Sequence, residues 1–137
     1  MKTYRQSLGR WGEGVAASYL SGKGYALLDR NIRTPYGEID LIARLEGTGQ
    51  GQSAAESAGA PSAAVTVFVE VKTRRSTAFG LPEASITPRK KQHLISAIQA
   101  YMQDHPELGG DWRVDVIAIR RSPADQGMEI VHFENAI

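Results

Sequence analysis

Val65-Thr66-Val67-Phe68-Val69-Glu70-Val71-Lys72-Thr73 is the stretch on which the fold turns. It is rich in β-branched residues, and strict alternation predicts a strand. Val65, Val67, Val69 and Val71 share one face, and Thr66, Phe68, Glu70 and Lys72 share the other. A carboxylate and an ammonium therefore sit in the middle of a valine-rich strand. Burying such charges without a partner or a task is expensive.

Working outward, the sequence predicts two more strands upstream. Tyr25 to Arg33 and Gly37 to Arg44 flank Thr34-Pro35-Tyr36-Gly37, whose proline and glycine suit a turn, so these strands run antiparallel. Residues 46–64 carry only small and polar side chains and predict a flexible loop within the domain. Before the strands, residues 4–22 place Leu8, Trp11, Val15, Ala16, Tyr19 and Leu20 on one helical stripe. Gly9, Gly12 and Gly14 weaken that helix or mark close approach to a neighbour.

Downstream, residues 74–86 predict a basic loop, and Thr87-Pro88 provides a helix cap followed by proline. That helix continues through Leu94, Ile95, Ile98, Tyr101 and Met102 and ends before His105-Pro106. Trp112 to Arg120 and Gly127 to Phe133 predict two last strands. The expected architecture is α/β, a central mixed five-stranded sheet flanked by helices, in a single domain over residues 1–137.

Composition agrees with an ordinary globular domain: 137 residues, 42% hydrophobic, 23% charged, net charge +1. With no cysteine, disulfides, thiolate metal sites and cysteine nucleophiles are excluded. No apolar run approaches the roughly 20 residues that span a bilayer, and Met1 leads straight into polar sequence. A cytoplasmic protein with no membrane association is expected. The charge is uneven along the chain. Residues 1–33 carry net +4, 34–71 net −4, 72–93 net +5 and 94–137 net −4. If the two basic segments fold together, they offer phosphates a surface from which counterions are released; otherwise they are solvated faces.

The chemistry gathers on Glu38-Ile39-Asp40 and Glu70-Val71-Lys72. Period-2 geometry puts Glu38 and Asp40 on one strand face, and Glu70 and Lys72 on one face of the next. If the strands are neighbours, Asp40, Glu70 and Lys72 converge. Two carboxylates that close repel unless a cation lies between them, and hard oxygen donors suit Mg²⁺ or Mn²⁺. Lys72 then stands where it can position a water or neutralise charge on a phosphate. Taken alone, Glu70-x-Lys72 is equally a surface ion pair. Asp115, between Val114 and Val116, is either a structural partner for an arginine or part of the site. Trp11, Tyr36 and Phe79 are candidates to stack on bases, Trp11 with a competing place in the core.

Gly37-Glu38-Ile39-Asp40-Leu41-Ile42-Ala43 followed by Phe68-Val69-Glu70-Val71-Lys72-Thr73-Arg74 resembles the restriction-endonuclease-like superfamily, whose pattern is an acidic residue and then Asp/Glu-x-Lys. A closer resemblance is to the YraN-like uncharacterised bacterial family, itself similar to archaeal Holliday-junction resolvases. It rests also on Gly9-Arg10-Trp11-Gly12-Glu13, Asn31-Ile32-Arg33, Phe79-Gly80 and Ile86-Thr87-Pro88-Arg89-Lys90-Lys91. The resemblance implies that Asp40 and Glu70 are metal ligands with the Val71 carbonyl as a third, that Lys72 is the catalytic lysine, and that Glu13 reaches the metal from the first helix. It implies a homodimer too, because a four-way junction presents two equivalent strands. Arg74, Arg75, Lys90 and Lys91 are candidate phosphate contacts, with ordinary surface charge as the alternative. The expected function is a metal-dependent nuclease acting on DNA, with branched or repair intermediates as substrates; the sequence does not distinguish DNA from RNA. The alternative is a non-catalytic nucleic-acid-binding module that keeps the nuclease-like fold.

Overall fold

The strand motifs pair as their alternation requires. The computed structural model describes residues 4–46, 64–74, 86–121 and 127–137. Helix α1 is Tyr4–Gly22, followed by strands β1 Ala26–Thr34, β2 Gly37–Leu45 and β3 Val65–Arg74. Helix α2, Pro88–Asp104, precedes a short 3-10 turn, Pro106–Leu108, and strands β4 Trp112–Arg121 and β5 Met128–Phe133. The five strands form one sheet in sequence order. β1–β2, β2–β3 and β4–β5 are antiparallel, and β3–β4 is parallel. A parallel pair needs a long connection, and α2 supplies it. The expected mixed five-stranded α/β sheet with flanking helices is what forms. The greater part of the expected 46–64 loop, and the loop carrying Arg75, Phe79 and Gly80, lie outside the described residues.

Each face of the sheet has its own core. Val67 and Val69 of β3 pack with Leu41, Ala43, Ile117 and Ile119 under Ala16 and Leu20 of α1. Phe68 packs on the opposite face with Ile39, Ile42 and Val114 under Ala97, Ile98 and Tyr101 of α2. The α2 cap forms as its sequence predicts: the Thr87 hydroxyl accepts from the Lys90 amide at 3.1 Å. No helix among the described residues is long and apolar enough to cross a membrane.

The glycines of α1 divide by what lies over them. A Cβ on Gly12 would stand 2.1 Å from Thr73 Oγ1 and 3.2 Å from two carbons of the same β-branched side chain, so α1 and β3 touch there. A Cβ on Gly14 would meet nothing within 4 Å. Gly14→Ala should raise stability by up to about 1 kcal/mol through helix propensity. Gly12→Ala should lower it by about 1–2 kcal/mol, because overpacking outweighs that gain. Urea unfolding of the two variants checks the opposite signs.

Candidate functional site

The β2–β3 ladder runs from Leu45 opposite Val65 to Leu41 opposite Val69. One step further Asp40 comes opposite Glu70, and there the strands part. The Asp40 carboxylate fills the gap: its Oδ2 accepts the Val71 amide proton at 2.9 Å. On the other side of β2 the neighbouring pairs are Arg30 with Leu41 and Ile32 with Ile39, which leaves Asn31 across from Asp40. Asn31 has φ 51°. Asparagine tolerates that left-handed conformation better than most residues, and Asn31 falls at the level where the β2–β3 ladder ends. The alternation of β2 breaks at the same place. Ile39 and Ile42 join the α2 core, whereas Leu41 joins the α1 core.

The parting strands leave the carboxylates together. Asp40 is held up at about 7, first by burial and then by the negative charge of Glu70, with smaller contributions from Glu13 and Glu38. The Val71 amide pulls the other way but does not win. Glu13 is half-buried on α1 and acts on Asp40 through its charge. Its neighbour Gly12 is the residue that lets α1 approach β3.

Two lysines face Glu70. Lys72 Nζ lies 3.2 Å from Glu70 Oε2, with both side chains largely buried. Lys90 Nζ, at the start of α2, lies 3.9 Å from the same oxygen. Lys90 is held below the usual lysine range, chiefly by the neighbouring Lys72 and then by burial. The structure therefore separates residues that the sequence grouped. Lys90 belongs to the carboxylate cluster. Lys91 is exposed on α2 and does not line the cavity described below. Arg74 is exposed at the end of β3 and donates to the Thr73 carbonyl at 3.1 Å. Arg75 lies outside the described residues. Val71 contributes its amide to Asp40, and its carbonyl is on the same stretch of strand.

A cavity of about 320 Å³ opens beside this cluster. Asp40, Glu70, Glu38 and Lys90 form its polar side, and Ile86, Leu94 and Ala97 an apolar side. Tyr36 and His93 also line it. His93 is exposed on α2 and also faces the cavity. Its place was legible in the helix period: Lys90, Leu94 and Ala97 recur at i, i+4 and i+7, with His93 beside them. Asn31 gave a weaker signal, an asparagine in a largely polar, exposed strand.

The donor set suits a hard divalent cation. Asp40 Oδ2 is engaged by Val71 and Glu70 Oε2 by Lys72 and Lys90, and each carboxylate has a second oxygen to offer. Among the described residues no three His, Asp or Glu side chains close on one point. The protein would thus bring two carboxylates, leaving other positions for a backbone carbonyl, water and substrate phosphate, the usual arrangement for Mg²⁺.

Asp115 falls on the other side of the question. It is fully buried on β4, and it accepts from Arg113 Nε and Nη2 at 2.9 and 3.0 Å, His132 Nε2 at 2.7 Å and the Asn135 amide at 2.9 Å. It is a structural hub that joins Arg113, His132 and Asn135. Trp11 packs against the α1 core, with Arg121 over its ring at 5.0 Å.

A restriction endonuclease, MspJI, solved in complex with a 27-mer oligonucleotide, is similar in structure at a TM-score of 0.37 and 14% identity, over 84% of this chain and 21% of that one. A protein of Syntrophotalea carbinolica is 39% identical over 136 residues, covering 99% of this chain and 95% of its own length. One of Syntrophomonas wolfei is 41% identical over 131 residues, covering 96% and 97%, and one of Corynebacterium efficiens is 37% identical over 134, covering 98% and 94%. All three bear the name UPF0102 protein. The family model for uncharacterised protein family UPF0102 matches residues 12–119, which span Glu13 and both strand motifs, and the chain belongs to that family.

Proposed function

We propose that the protein is a divalent-metal-dependent nuclease that hydrolyses phosphodiester bonds in DNA, acting in the cytoplasm. The observation that carries this reading is the meeting of Asp40, Glu70 and Lys72 where β2 leaves β3. Mg²⁺ or Mn²⁺ would be held by Asp40 and Glu70, with the Val71 carbonyl as a third oxygen. Bound there, the cation supplies Lewis acidity toward a phosphate and a more acidic water. Lys72 holds the phosphate and the negative charge that grows on it. Lys90 adds a second positive charge at the same oxygen of Glu70 and reaches the phosphate from α2. Glu13 keeps the site negative from the α1 side. Arg74, Arg75 and Lys91 provide contacts along the nucleic-acid backbone. On branched DNA the enzyme would act as a homodimer, one subunit for each equivalent strand.

The test is a set of melts of wild type and Asp40→Asn from pH 4 to pH 9, with and without Mn²⁺. An acid raised from 3.8 to about 7 on folding binds its proton more tightly in the native state. Its presence therefore costs nothing below about pH 4, costs more as pH rises toward 7, and reaches its full cost above 7. Asn keeps the acceptor for Val71 and removes the charge. Without metal, the variant should match wild type near pH 4 and exceed it by about 2–4 kcal/mol at pH 8. Mn²⁺ should then raise the melting temperature of wild type at pH 8 and leave the variant unmoved. Equal response of both proteins to Mn²⁺, or of neither even with uncleavable DNA present, would move the reading to a binding module without catalysis.

A further inference from the structure

We infer that the cavity beside Asp40 and Glu70 takes the base of one unpaired nucleotide, stacked on Tyr36, so that the substrate is DNA with a single-stranded segment at the site. This rests on the reading of the same site as one that acts on DNA. Tyr36 is 51% exposed, on the rim of the cavity. An exposed aromatic side chain is ordinary by itself; this one is held in place. It sits in the β1–β2 turn, where its amide donates to Thr34 Oγ1 at 3.1 Å and the same hydroxyl donates to the Gly37 carbonyl at 2.8 Å. Gly37, at φ 139°, takes the positive-φ position of the turn, so Tyr36 keeps an ordinary backbone conformation. The turn presents a ring whose backbone is already ordered, which lowers the entropic cost of stacking.

The rest of the cavity matches a nucleotide in parts. Its apolar side, Ile86, Leu94 and Ala97, suits the face and edge of a base. Its polar side carries Lys90, Asp40 and Glu70, where the phosphate and a cation would lie, with Glu38 beside them. At about 320 Å³ it is at the small end of ligand pockets, the scale of one nucleotide. In a duplex each base face is covered by its neighbours, so only an unpaired base can enter and stack.

The experiment measures binding of the full chain to a fluorescent oligo-dT strand and to a blunt duplex of equal length, in EDTA so that no cleavage occurs. Tyr36→Ala should weaken single-strand binding about tenfold and leave duplex binding within twofold, and Tyr36→Phe should restore it. The turn residue is exposed, so the fold is kept, which a melt verifies. An equal loss on both DNAs, or no loss on the single strand, overturns the inference. A protein that binds neither DNA overturns it together with the nuclease reading. Tyr36-dependent binding in a protein that cuts nothing with Mn²⁺ leaves the inference standing while the nuclease reading falls. Cleavage that is indifferent to Tyr36 does the reverse.

Discussion

Lys72→Met is expected to lower DNA cleavage by about a hundred- to a thousandfold while metal binding persists, on whichever of linear, nicked, flapped or four-way DNA the wild type cuts. Methionine approximates the aliphatic stem of lysine and keeps most of the packing of a side chain that is only 12% exposed. What it removes is the ammonium 3.2 Å from Glu70 Oε2. Glu70 then keeps Lys90 alone, at 3.9 Å, and its oxygen is freer for a cation. The Mn²⁺ affinity measured by calorimetry should therefore hold or rise as the rate falls. Asp40→Asn should behave in the opposite way, losing cleavage and metal together while gaining stability at neutral pH. Such a split distinguishes a lysine that acts on the reacting phosphate from a carboxylate that binds the metal. If Lys72→Met cuts DNA at the wild-type rate, Glu70 and Lys72 are an ion pair within the sheet, and the chemistry lies elsewhere.

The sequence was most legible where one physical signal acted alone. Valine alternation in β3 predicted two faces, one with Val67 and Val69 and the other with Phe68, and the two cores divide them in that way. Thr87-Pro88 predicted the start of α2 to the residue, because a cap and a proline at the first position are local features. The meeting of Asp40 with Glu70 was legible only in outline. It needed β2 and β3 to be neighbours, and their register follows from many pairings at once. Alternation predicted Glu38 and Asp40 on one face, and both do line the cavity, but it did not predict that β2 would part from β3 there or that Asp40 would bond to a neighbouring strand's amide. The left-handed conformation of Asn31 is a tertiary feature with a faint local trace. Lys90 and Lys91 stand together in the sequence as candidate phosphate contacts. The helix phase set by Leu94 and Ala97 separates them, turning Lys90 to Glu70 and Lys91 to solvent. Asp115 stayed open for a similar reason. Its partner Arg113 is two residues away on the same strand face, but His132 and Asn135 come from 17 and 20 residues on. The β4–β5 register, with Ile117 opposite His132, is what brings them in.

Asp115→Ala should be the most destabilising single change among the residues discussed, by about 3–5 kcal/mol. The side chain is fully buried, and both its oxygens are used twice: Oδ1 by Arg113 Nε and the Asn135 amide, Oδ2 by Arg113 Nη2 and His132 Nε2. Removing it leaves a partly buried guanidinium, an imidazole and a backbone amide without their acceptor, and each carries a desolvation penalty that water cannot fully repay. The same network extends to Tyr25, whose hydroxyl accepts from Arg113 Nη2 at 2.8 Å, and to Tyr19, paired with His132 Nδ1 at 3.3 Å. It therefore ties β4 and β5 to α1 and to the start of β1. Total stabilities of domains this size are about 5–15 kcal/mol, so the alanine variant should melt far below wild type. Asp115→Asn, which keeps one acceptor oxygen, should lose less. The measurement that decides the role is paired: melting temperature and Mn²⁺ affinity of the folded variant at low temperature. A large drop in the first with the second unchanged makes Asp115 the anchor of the β4–β5 edge. The reverse pattern, an unchanged melt and a lost metal site, would bring Asp115 into the catalytic centre and require the carboxylate cluster around Asp40 to extend through the sheet to β4.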